Sequence, residues 1–128
     1  MTPSRPWWMT ALAIACLVTI AATFGGDLFV PEARDTEVWF GLELKGTPAL
    51  LTAPLHYAIF AVGAWAFWTM RPWALTAGAG YLFYAALSHL VWSEASPHGR
   101  GWQIGLVQAA VVAAAAVLLL RARRRLPG

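Results

Sequence analysis

The sequence predicts an all-α integral membrane protein, an antiparallel four-helix transmembrane bundle with both termini inside (N-in/C-in). Three observations carry that prediction. Of the 128 residues, 59% are hydrophobic and 12% are charged, about half the charged fraction of a soluble domain. The apolar residues gather in four uncharged stretches, at about 7–26, 48–70, 73–93 and 102–120, each long enough to cross a ~30 Å hydrocarbon layer as a helix. The third observation is a partition of charge. All six carboxylates lie between the first and second stretches or between the third and fourth, whereas six of the nine bases lie in the other polar segments.

Lipid offers the backbone no hydrogen-bond partner, so only helices or closed barrels span it, and these stretches lack the period of two that a barrel needs. By the positive-inside rule, Arg5, Arg71 and Arg121, Arg123, Arg124 and Arg125 place both termini and the middle turn in the cytoplasm. The opposite face, with six acids against Arg34, Lys45 and Arg100, carries a formal charge of −3. Arginine outnumbers lysine eight to one and alanine is abundant, a codon-usage pattern that suggests a bacterial source and hence the cytoplasmic (inner) membrane.

The first stretch follows Arg5 and carries the single cysteine, Cys16. One cysteine forms no intramolecular disulfide and supports no dithiol chemistry; a small packing residue is the reading. Thr19, Thr23 and Asp27 recur every four residues, on one helix face. A cleaved signal peptide competes here, but the apolar run is longer than a usual h-region and lacks a good small-x-small site.

The connection 27–47 holds five of the acids. Pro31 through Phe40 is expected to form a short helix, with Pro31 and Glu32 suited to its first turn. The apolar segment Val38-Trp-Phe-Gly-Leu-Glu-Leu is expected to lie on the headgroup layer or to fold over the bundle. Glu32, Asp35, Glu37 and Glu43 are expected to be solvated. The spacing is not that of a calcium loop.

Met70-Arg71-Pro72-Trp73 allows only a tight antiparallel turn, and Ser96-Pro-His-Gly-Arg-Gly101 makes a second short one. His98, in that turn, reads as a solvated loop histidine. Trp7, Trp8, Trp68 and Trp73 fall at the inner boundary and Trp39, Trp92 and Trp102 near the outer one, where indoles favour the interface. The terminal arginine run follows a span directly, so it reads as a stop-transfer anchor facing anionic headgroups, with no nucleic acid implied.

Depth singles out a site. His56 lies about two turns, and His89 about one turn, below the outer boundary, with Gln108 between one and two turns down. Together with Thr23 and Asp27, they give each span a polar group in the outer half. Such groups are costly in lipid unless they face the bundle or a wet cavity. Tyr57, Tyr81, Tyr84 and Phe60 would form walls, and Asp27 and Glu94 would line the mouth.

Three readings compete for this cluster. One is a structural hydrogen-bond network. Another is an outward-facing site for a small molecule, lipid headgroup or quinone. The third is haem or a transition metal on His56 and His89. The candidate ligand-binding residues are His56, His89, Gln108, Thr23, Asp27, Tyr81 and Glu94. No cofactor is the leading expectation, with haem or a transition metal as the alternative.

No nucleophile elbow, P-loop or dinucleotide fingerprint is present, and Ser88 and His89 fall on different helix faces. Proton-transfer chemistry by His56, His89 and Glu94 has nothing to select it. The leading expectation is therefore a non-enzymatic binding or accessory-subunit protein. The runner-up is a haem-, metal- or quinone-interacting redox subunit, and a small transporter protomer is a further alternative. The expected partners are the lipid bilayer and either another membrane subunit or a second copy in a homo-oligomer.

Overall fold

A computed structural model describes residues 4–125. The described residues are mostly helical (77%). Four helices are long and apolar enough to cross a membrane: α1 (Trp7–Phe29), α3 (Thr47–Trp68), α4 (Pro72–Ala95) and α5 (Trp102–Arg123). Between the first two lie a single helical turn, α2 (Pro31–Arg34), and two strands, β1 (Thr36–Trp39) and β2 (Leu42–Lys45).

Those strands correct the all-α expectation. The predicted helix from Pro31 stops at Arg34, and an antiparallel hairpin follows, pairing Thr36 with Lys45 and Trp39 with Leu42. The hairpin turns through Phe40 and Gly41, both at positive φ (53° and 80°), which matches the natural twist of a two-residue hairpin loop. The Gly46 N–H donates to the Asp35 carbonyl at 3.0 Å and closes its base.

The helices pair unevenly. α1 packs along α3 and α4 packs most extensively along α5, while α3 and α4 touch only sparsely. Small residues make the close approaches: a Cβ on Gly105 would lie 2.6 Å from the Cβ of Ser93, and one on Gly63 would lie 3.2 Å from Cys16 Sγ. This is the packing expected where lipid gives helices no hydrophobic reason to associate.

Two ends can be told apart. At the basic end, Met9 and Ala13 of α1 pack with Ala66 and Phe67 of α3 and with Ala74 and Leu75 of α4 in one buried cluster. At the acidic end the hairpin lies against both α3 and α4. Leu17, Val18, Leu87, Val107, Val111 and Leu118 are each more than half exposed, as apolar side chains facing lipid would be. The fold is thus that of a multi-pass membrane protein.

Candidate functional site

Alternation along β1 gives the hairpin two working faces. Glu37 and Trp39, two residues apart, point the same way, and both meet His56 of α3. His56 Nδ1 lies 2.5 Å from Glu37 Oε2, and the Trp39 indole stacks on the imidazole at 4.0 Å between centroids and 7° between planes. The His56 and Glu37 side chains keep 18% and 12% of their exposure, so the pair is largely withdrawn from water. The Trp39 indole N–H is buried without an acceptor.

Glu43, on the facing strand, reaches α4 instead. Its Oε1 accepts from the Ser96 hydroxyl at 2.7 Å and from the Trp92 indole N–H at 2.9 Å. These donors, Ser96 first, hold the Glu43 carboxyl below the usual glutamate range, with Lys45 and His98 adding a weaker attraction. At the hairpin tip, the Phe40 N–H donates to the Tyr84 hydroxyl at 3.0 Å and its ring meets Tyr84 edge-on. A Cβ on Gly41 would lie 2.7 Å from the Ser88 carbonyl oxygen, so only glycine lets the tip sit this close. The hairpin thereby bridges the two helix pairs.

Beneath it lies a cavity of about 610 Å³. Its floor is the edge-on contact of Phe60 with Tyr81, at 5.5 Å, and Tyr84 stands beside Tyr81 at 5.8 Å. Thr23 and Asp27 of α1 line one side, Ser88, His89 and Trp92 of α4 the other, and Thr36, Glu37 and Val38 the top. The Tyr57 hydroxyl donates to Asp27 Oδ2 at 2.7 Å and ties α1 to α3.

The balance of donors and acceptors is uneven. Asp27 and Glu37 are already engaged by Tyr57 and His56. Tyr84 accepts from the backbone and keeps its own proton to donate. Among the described residues, the Tyr81 and Ser88 hydroxyls and the His89 ring have no hydrogen-bonded side-chain partner, though all line the cavity. The arrangement offers donors set among aromatic rings.

Of the residues singled out in the sequence, Thr23, Asp27, His56, Tyr81 and His89 line this one cavity. Gln108 does not: α5 buries Gly105 and Ala116 and leaves Gln108 exposed. Glu94 is drawn off as well, its Oε2 accepting the Trp102 N–H at 2.9 Å to cap the start of α5. Glu37 and Glu43, expected to be solvated, instead hold the hairpin down. Among the described residues, no three His, Cys, Asp or Glu side chains gather as a metal ion would need. His98 is 73% exposed, 3.8 Å from Glu43.

Thr36, Glu37, Ser88 and Trp92 bring further polar side chains to the lining, and the sequence alone did not place them there. The available signal was the run Thr36-Glu-Val-Trp-Phe-Gly-Leu-Glu-Leu-Lys, two alternating segments around a two-residue glycine turn.

Fold and site together define a small multi-pass membrane protein with a hairpin-covered cleft at one end of its bundle. No family model matches the chain, and no curated protein or solved structure matches it.

Proposed function

We propose that this is a non-enzymatic binding protein or accessory subunit of a bacterial cytoplasmic membrane, with both termini inside and the hairpin-covered cleft in the outer half of the bilayer. Its ligand is a small amphipathic molecule with a flat, hydrogen-bond-accepting head, of which a quinone is the simplest type. The orientation rests on the 6:3 split of bases between the two faces. The ligand class rests on one observation: the cavity presents the hydroxyl donors of Tyr81, Tyr84 and Ser88 between aromatic rings while its carboxylates are already partnered. A volume of about 610 Å³ falls within the usual range for small-molecule pockets. The sparse contact between α3 and α4 would let an apolar tail reach lipid.

The test is a fluorescence titration of the purified protein with a short-chain benzoquinone, read on tryptophan emission, with a Trp92→Phe variant to isolate the signal of the residue at the cavity wall. Saturable quenching that weakens in Tyr84→Phe and Tyr81→Phe is expected. Quenching that rises linearly and equally in the parent protein and both tyrosine variants would remove the quinone-type reading and leave the cluster a structural network.

A further inference from the structure

The basic end carries a second concavity, formed where the start of α1 and the end of α5 lie side by side with little contact between them. It holds about 380 Å³ and is lined by Pro6, Trp8, Leu118, Arg121, Ala122 and Arg125. The other arginines of the two inner segments near it are differently employed. Arg5 lies 3.7 Å over the Trp68 ring and donates to the Trp68 carbonyl at 3.0 Å, and Arg71 lies 4.8 Å over Trp65. Arg121 and Arg125 have no acidic partner among the described residues, and all six Asp and Glu side chains of the chain belong to the opposite end. Two guanidinium groups, one in the last turn of α5 and one just past its end, therefore share a concavity with no counter-charge among the described residues.

We propose that this concavity binds the phosphate head of an anionic phospholipid. Guanidinium groups match phosphate oxygens in paired hydrogen bonds. Trp8 supplies an indole of the kind that favours the headgroup level, and Leu118, 63% exposed, continues the wall toward the hydrocarbon, where an acyl chain would lie. A free phosphate would use the arginines but not that apolar wall. The inference rests on the helices spanning a bilayer and is independent of what the acidic-end cleft binds.

Thermal unfolding of the full-length protein in neutral detergent tests it, with phosphatidylglycerol, phosphatidylcholine and inorganic phosphate added separately. Phosphatidylglycerol is expected to raise the midpoint and phosphatidylcholine to leave it unchanged. Loss of each lining arginine should weaken the lipid's apparent affinity about fivefold. The R121Q/R125Q double variant should lose most of the shift, and R123Q/R124Q, which removes equal charge outside the concavity, should keep it. Equal loss in the two double variants would reduce the effect to diffuse charge and overturn the site. A full shift with inorganic phosphate alone would overturn the lipid as its occupant. Recovery of the protein from cells in the soluble fraction would instead count against the membrane reading itself.

Discussion

The His56 imidazole is held between two residues of one short strand, bonded at its edge to Glu37 (2.5 Å) and covered on its face by Trp39 (4.0 Å). A four-residue strand has little hold of its own, since an isolated hairpin is marginal in water. His56 therefore anchors the hairpin to α3, as Glu43 anchors it to α4.

Removing that anchor should loosen the hairpin and spare the helices. His56→Ala strips both the bond and the stack and leaves Glu37 withdrawn from water, a cost of about 1–3 kcal/mol. Amide exchange across Thr36–Lys45 should accelerate while helical circular dichroism is unchanged. Glu37→Gln, which keeps an acceptor for the ring, should have the smaller effect.

Docking on α4 should weaken in acid. Because the Glu43 carboxyl is held below the usual glutamate range in the folded protein, its contribution is complete above the ordinary glutamate value. It is lost as pH falls through the lower folded one. Trp92, which donates to Glu43, should report the change as an emission shift during acid titration. The shift should be absent in Glu43→Gln.

Glycines should divide sharply by place. Gly41→Ala combines a φ of 80° with a Cβ 2.5 Å from that of Val91, and about 1–3 kcal/mol of strain is expected. Gly80 is helical and a Cβ there meets nothing within 4 Å, so Gly80→Ala should leave stability unchanged or slightly raised. Thermal unfolding of the two variants in one detergent checks the contrast.

Orientation is open to direct labelling. With Cys16→Ser as background, Asp35→Cys should react with an impermeant maleimide added to intact cells. Arg124→Cys should react only after lysis. Reversed labelling would place the acidic-end cleft in the inner half.

The four long helices were legible because lipid leaves few solutions: about 20 apolar residues in a row must be helical. Their partners were not. A helix apolar all round carries no stripe to say which neighbour it meets, so the pairing of α1 with α3 and of α4 with α5 depends on where Gly63, Gly105 and Ser93 permit close approach. Depth set Thr23, Asp27, His56 and His89 at one level, and the structure places them around one cavity with Tyr81. Depth failed for Gln108, because it is blind to rotation about the helix axis. Glu37 and Glu43 were hidden for a different reason. Charged residues in a loop look solvated until the loop is recognised as a hairpin, and Pro31 and Glu32 had marked its start as helix. Once strands are assigned, the alternation Glu37, Trp39 turns a carboxylate and an indole onto the same neighbour.

The central proposal, a cleft that holds a flat acceptor-headed amphiphile under the hairpin, is tested most directly by photo-crosslinking in membranes with an azido-benzoquinone and mapping the labelled peptides. The account predicts adducts on the α4 segment containing Tyr81, Tyr84 and Ser88 and on β1 around Glu37, suppressed by excess unlabelled quinone. Adducts concentrated on the exposed face of α5 around Val107 and Val111, or labelling that excess quinone does not suppress, would contradict it.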